Sequence, residues 1–317
     1  MSEIPLPALR ADNPIGFLAA LGTLRILDDR RPEWKPRLGW IDRGGWMPIL
    51  AVTETDSLDE IASALASKLS ERAKAPEFNW ADVIATAPET FHIVTRAALD
   101  VASVSNRESV DFLAGFAAEG ALSNKGYLKP TALCMTSGQM KFLKEIRAII
   151  STLASAPKRE EIPVADRINV ALAGPWHYAD DQHSLGWDPT NEPVHALGAY
   201  DPSGEGKQTS VREVIYLALE ALALFPVFAR FGKLLTTGFH HDERRQAWFH
   251  WPVWKPALSL RTVRSLLQLS ELATPAEHME SLRRRGVRSV YRARRSEFGK
   301  GYGIFRPAAV VFSDENG

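Results

Sequence analysis

The sequence predicts an α+β protein built from helices and antiparallel hairpins, arranged as two closely packed subdomains. Three observations carry that prediction. Several segments repeat apolar residues at helical spacing, others alternate about Gly-rich or charged turns, and the two kinds do not follow the βαβα order of a doubly wound sheet.

Residues 13–30 read as a helix. Asn13 or Asp12 can cap it, and Pro14 stands at the first helical position, where a missing N–H costs nothing. Phe17, Leu18, Leu21 and Leu24 share one buried face. Gly16 and Gly22 lower intrinsic helicity, which implies close packing on another backbone. Residues 36–52 read as two strands about Arg43-Gly44-Gly45, and 56–74 as an amphipathic helix. A helix over 110–122 is apolar nearly all round. A further one over 136–155 takes Thr136 or Ser137 as its cap. The polar stretch 156–166 holds two prolines. It marks a boundary between a mostly helical subdomain with a small hairpin, 1–158, and an α+β subdomain, 159–317, that ends in an Arg-rich hairpin.

Beyond the boundary, 167–173 reads as a strand, followed by a long irregular region over 174–209. Residues 210–231 read as a buried helix broken near Pro226. A hairpin over 233–254 turns at His241-Asp242-Glu243-Arg244-Arg245. Helices over 258–272 and 275–285 follow, the latter ending at Gly286, and 287–296 should pair with 303–312.

Charge is neutral over the chain of 317 residues, with 38 cations and 38 carboxylates, so general affinity for polyanions is not expected. No apolar run is long enough to span a membrane, and the amino terminus lacks a secretory layout, so a cytoplasmic protein is expected. The one cysteine, Cys134, cannot form an internal disulfide and reads as a small core residue.

Within this neutral chain, residues 281–306 concentrate nine cations against one carboxylate, Glu297. Arg283, Arg284, Arg285, Arg288, Arg292, Arg294 and Arg295 are the expected phosphate contacts, with Lys300 and Arg306 as secondary ones. A guanidinium bonds phosphate at two points and stacks on base faces. Tyr291 and Tyr302 are interleaved with the arginines as candidate stackers. Together these residues predict a nucleic-acid backbone site.

Other chemistry is less well supported. His177, Asp180, Asp181, His183 and His195 in the long loop, with His240, His241 and Asp242 in the later hairpin, could ligate zinc or manganese, but no compact ligand motif is present. GEGKQTS (204–210) lacks phosphate-loop spacing. TSGQMK (136–141) could offer free N–H groups of Gly138, Gln139 and Met140 to a phosphate, with Lys141 nearby, although an ordinary capped helix explains the same residues and is the preferred reading. Trp248, Trp251 and Trp254 read as core residues first and base-stacking residues second.

NPIGFLAALGTLRIL, TSGQMKFL, LGWDPTNEPVHALGAYDPS and LFPVFARFGKLLTTGFHHDERRQAWFHWPVW, four short blocks spread over most of the chain, resemble the CRISPR-associated effector-complex proteins of type I-G (formerly I-U) systems. More narrowly, the chain is similar to their smaller, large-subunit-like component. That resemblance implies a non-catalytic subunit of a Cascade-like complex. Its partners would be guide RNA, target DNA, other effector subunits and the helicase-nuclease, with contacts to the target's flanking motif and to nucleic-acid backbone. It implies no cofactor and supplies no catalytic positions. Two rival readings stand beside it: a metal-dependent nuclease using the His/Asp loop, and a scaffold whose arginines bind an acidic protein.

Overall fold

The computed structural model describes the chain except residues 104–105, 137–139, 156–161, 181–184, 192–208, 299–301 and 315–317. It is an α+β fold whose organising element is helix α1, Pro14–Arg30. The Asn13 side chain accepts from the Ile15 N–H and Pro14 occupies the first turn, as expected; such a cap contributes about 1 kcal/mol. Every residue from Pro14 to Leu27 is buried, so α1 is a central helix covered on all sides.

Strands β1 (Ser2–Pro5), β2 (Arg37–Asp42) and β3 (Trp46–Val52) form one antiparallel sheet, with Gly44 and Gly45 at positive φ in the β2–β3 turn. Helices α2 (Leu58–Ser67), α3 (Leu69–Arg72), α4 (Pro76–Asn79), α5 (Pro88–Asp100) and α6 (Glu108–Phe116) follow. The expected helix over 110–122 therefore stops at Phe116, and 117–122 is irregular, with Leu122 bridged to Leu128. Helix α7 is Phe142–Ala154 with Lys141 as its cap residue, so the expected start at Thr136 or Ser137 is displaced by one to two turns.

The expected strand over 167–173 is a helix, α8 (Val164–Ala173). Alternation would have buried Val170 with Ile168 and Leu172. Instead Ile168, Ala171 and Leu172 are buried at helical spacing, and Val170 is exposed. Helix α9 (Arg212–Glu220) is buried from Glu213 onward, as is the 3₁₀ turn that follows it (Ala221–Leu224). Gly22 explains how α9 meets α1: a Cβ there would lie 1.7 Å from the Leu217 carbonyl oxygen, so only glycine lets the two backbones touch. The close approach expected from the glycines of α1 is thus between sequence-distant helices.

After Pro226 the chain leaves the interior. Strands β4 (Val227–Arg230) and β5 (Lys233–Thr236) pair only with each other, so 226–231 is not helical and 233–236 is not part of the next hairpin. Strands β6 (Phe239–His241) and β7 (Ala247–Trp254) form that hairpin. Strand β8 (Leu258–Ser259) joins the first sheet beside β2, and helix α10 (Leu260–Leu267) follows it. Helix α11 (Met279–Arg284) ends before Gly286, whose positive φ suits the position after a helix end. Strand β9 (Val287–Phe298) then runs beside β7, with β10 (Tyr302–Phe305) and β11 (Ala309–Ser313) sharing its other edge.

The core lies where α1 meets both sheets. Phe17 stacks 5.9 Å from Trp40 and 5.7 Å from Trp251, measured between ring centroids. The indole N–H groups of Trp251 and Trp254 donate to the carbonyls of Ala11 and Leu38, binding the second sheet to the beginning of the chain. Both tryptophans are core residues, as expected.

Candidate nucleic-acid interface

The 281–306 stretch does not present one continuous basic face. Helix α11 and the start of β9 hold Arg283, Arg284, Arg285 and Arg288, and each meets a carboxylate. Arg283 and Arg288 flank Asp314 at 3.0 and 2.7 Å, Arg284 pairs with Glu280 one helical turn back, and Arg285 pairs with Glu271. The Arg285 hydrogen bond, chiefly, holds the Glu271 carboxyl down to about 2. Asp314 is 5% exposed, so the Arg283–Asp314–Arg288 contact is partly structural; it fixes the last described residues against the start of β9.

Alternation along β9 sends the next residues to opposite faces. Tyr291 faces inward, 7% exposed and stacked 5.9 Å from Trp251, so it is a core residue and not an available base stacker. Burial raises its phenol pKa. Arg292 faces outward beside half-buried Trp248, its guanidinium carbon 4.4 Å from the indole centroid, a cation–π contact of about 0.5–1 kcal/mol at such sites.

At the far end of β9 the arrangement changes. Arg294, Arg295, Ser296 and Glu297 meet Arg306 and the residues His241, Arg245, Gln246 and Ala247 around an open cleft of about 540 Å³. Four guanidinium groups line it against one carboxylate. Among the described residues Arg294 bonds neutral groups, the Ser296 hydroxyl at 3.1 Å and the Gln246 amide oxygen at 3.4 Å. Arg306 donates to the same hydroxyl at 3.3 Å, and its backbone N–H bonds the Arg294 carbonyl. Arg295 pairs with Glu297 at 2.7 Å, while its buried Nε has no hydrogen-bond partner. Arg245 is exposed at the β6–β7 turn. These cations are about 20 Å along β9 from Arg288, taking ~3.3 Å per residue.

The register of β7 on β9 brings the turn to the arginines: Trp248 lies opposite Arg294, so the preceding Gln246 and Arg245 reach the same strand end. In the sequence Arg245 reads only as the end of a charged turn and Gln246 carries no signal, because strand pairing is not encoded in their spacing. The Tyr302 backbone pairs with Phe298, and Lys300 lies outside the described residues.

Asp180, from the metal hypothesis, is committed elsewhere. Its carboxylate pairs with the Arg212 guanidinium at 2.8 Å and accepts the Arg212 backbone N–H at 2.8 Å, closing the start of α9. His240 and His250 lie edge to face at 5.2 Å, and burial pushes both imidazoles down, His250 to about 4. Asp181, His183 and His195 lie outside the described residues, as does most of 204–210. Among the described residues no three metal-ligating side chains come together. Gly138 and Gln139 also fall outside them, and the α7 N-terminus is at Phe142, so the first turn of that helix is not the expected phosphate cradle. Cys134 is buried, and burial pushes its thiol up to about 11, as suits a core cysteine. No described helix is long and apolar enough to cross a membrane.

Compared with known proteins, the chain matches no family model, no curated protein and no solved structure.

Proposed function

We propose that this protein binds nucleic-acid backbone through the cleft formed by Arg245, Arg294, Arg295 and Arg306. On this reading it acts as a non-catalytic subunit of a type I CRISPR interference complex in the cytoplasm. The observation that carries the binding reading is the clustering of four guanidinium groups, with one carboxylate, around an open cleft. Phosphates spaced along a strand are the ligand that such a fork-shaped donor set matches. Arg292 on Trp248 extends the basic face away from the cleft. The partners proposed, guide RNA, target DNA and neighbouring effector subunits, rest on the four sequence blocks that resemble type I-G proteins.

The test is a salt series with labelled single-stranded and duplex oligonucleotides. On duplex DNA, log affinity should fall with log salt by about 0.9 per phosphate neutralised. Substituting Arg294, Arg295 and Arg306 together by Ala should flatten that slope by roughly 2–3 units. Substituting Arg283, Arg285 and Arg288 by Ala should change it by less than about 1 unit, because carboxylates of the same chain already neutralise them. A cleft variant that binds like wild type would place the contact elsewhere. Retention of an acidic protein, with no oligonucleotide bound at low salt, would favour the scaffold reading.

A further inference from the structure

The β4–β5 hairpin carries a feature that the arginine cleft does not use. Its strands pair from Val227↔Thr236 to Arg230↔Lys233, and the two linking residues, Phe231 and Gly232, both have positive φ, 50° and 69°. That is the backbone of a tight primed turn, where Asn or Gly is the usual first residue and a bulky aromatic is strained. Phe231 is also 92% exposed, the highest value among the exposed large apolar side chains described, and Phe228 on the same hairpin is exposed as well. An aromatic ring at a strained, solvated turn gains nothing for folding: it adds strain and buries no surface.

The surroundings of the ring select its partner. Arg230 lies against it, the guanidinium carbon 5.4 Å from the ring centroid. Lys233 follows the turn, and Lys129 reaches across from a neighbouring loop to bond the Gly232 carbonyl at 2.9 Å. Among the described residues, no carboxylate pairs with Arg230, Lys233 or Lys129. The tip thus offers an open aromatic face ringed by uncompensated positive charge. The base of the hairpin is tied to the cleft through residues 132–135: the Ala132 N–H bonds the Thr236 hydroxyl at 2.9 Å, and the Met135 carbonyl accepts from Gly303 at 2.7 Å, three residues before Arg306.

We propose that Phe231 stacks on an unpaired nucleobase, with Arg230, Lys129 and Lys233 holding the adjoining phosphates. A nucleobase beside its phosphates is the partner that presents a flat aromatic face and negative charge together. The base must be unpaired, since paired bases in a duplex are held within its stack. This inference rests on the reading of the protein as a nucleic-acid binder, not on the cleft itself, and it adds which form of the strand the protein contacts.

The experiment uses the full chain and a single-stranded oligonucleotide carrying 2-aminopurine, with a blunt duplex of the same sequence as control. Phe231→Asn suits the turn better than the native residue, so the hairpin is retained while the ring is lost. We expect Phe231→Asn to weaken single-strand binding by about 5- to 150-fold, to abolish 2-aminopurine quenching, and to leave the salt slope and the blunt duplex unaffected. Phe231→Trp should restore quenching. Equal single-strand affinity for wild type and Phe231→Asn would overturn the proposal while leaving the cleft reading intact. Loss of binding in Phe231→Asn, but not in the Arg294/Arg295/Arg306→Ala variant, would sink the cleft reading and uphold this one. Sedimentation with anionic vesicles that disappears in Phe231→Asn, without any oligonucleotide effect, would overturn it in favour of a bilayer contact.

Discussion

Arg72 and Arg294 are the same side chain in opposite settings. Arg72, on α3, is buried with its guanidinium among three carboxylates: Glu220 at 2.5 Å, Glu77 at 2.7 Å and Glu108. Arg25 on α1 joins the cluster through Glu220 at 2.5 Å and Glu108 at 3.1 Å, and Lys68 bonds Glu108 at 2.8 Å. Both guanidinium carbons lie 4.6 Å from the centroid of the Phe112 ring. Burial alone would lower the Arg72 pKa, but Glu220 and Glu108 outweigh it and raise it. Arg294, at the end of β9, bonds a hydroxyl and an amide beside an open cleft and, among the described residues, pairs with no carboxylate. The first setting spends arginine charge on joining α1, α3, α4, α6 and α9; the second leaves it available to a partner. An arginine's role in this chain is set by how many carboxylates the fold brings to it.

The largest expected effect lies in the buried cluster. Arg72→Met leaves Glu220, Glu77 and Glu108 short of a partner, and removing one member of a buried pair typically costs about 3–5 kcal/mol. Urea unfolding should show that loss, while the folded fraction should bind oligonucleotide as wild type does. A loss below about 1 kcal/mol would remove the structural half of the comparison.

Acid should expose the same asymmetry less drastically. Burial disfavours the Glu108 anion, yet Arg72, Arg25 and Lys68 together hold its carboxyl down to about 2, below the ordinary value of 4.5. A folded-state pKa depressed in this way contributes stability that is fully present above the unfolded value and is lost as pH falls through the folded one. Unfolding free energy should therefore decline between pH 4.5 and about 2, and the decline should be shallower in Arg72→Met. Parallel curves for the two proteins would argue that Glu108 does not depend on Arg72.

The smallest effect tests a case between the two extremes. Arg284 has a partner, Glu280, but its side chain is 77% exposed. Such pairs contribute little, so Arg284→Ala should change stability by less than about 0.5 kcal/mol in thermal or urea unfolding. A larger loss would show that partnering alone, without burial, gives an arginine here a structural role.

Local features carried much of the reading. The Asn13-Pro14 cap, the Gly44-Gly45 turn and the stop at Gly286 depend on residues adjacent in the chain, and each stands where the sequence places it. The strand expected at 167–173 failed because a seven-residue alternation also fits helical spacing, and only packing of Ile168, Ala171 and Leu172 decides between them. The candidate site was legible as composition and not as geometry. Arg294, Arg295 and Arg306 were among the expected contacts, yet nothing in the spacing separated them from Arg283, Arg285 and Arg288. Asp314 and Glu271, which neutralise those three, lie 14 to 31 residues away in the chain. The buried cluster was not foreseen at all, since its longest pair, Arg25 with Glu220, spans 195 residues.

An α+β chain with a capped central helix, a concentration of arginine near one end and a buried lone cysteine could all be read from the residues alone. Each of these follows from local periodicity, turn chemistry or composition, which act over a few residues. Tertiary structure decided which arginines pair with carboxylates of distant segments, which line an open cleft, and that Phe231 sits on an exposed turn instead of in a buried helix. Those outcomes depend on strand register and on carboxylates arriving from distant segments. Electrostatic attraction falls with distance in space, whatever the separation along the chain, so only the folded arrangement could settle them.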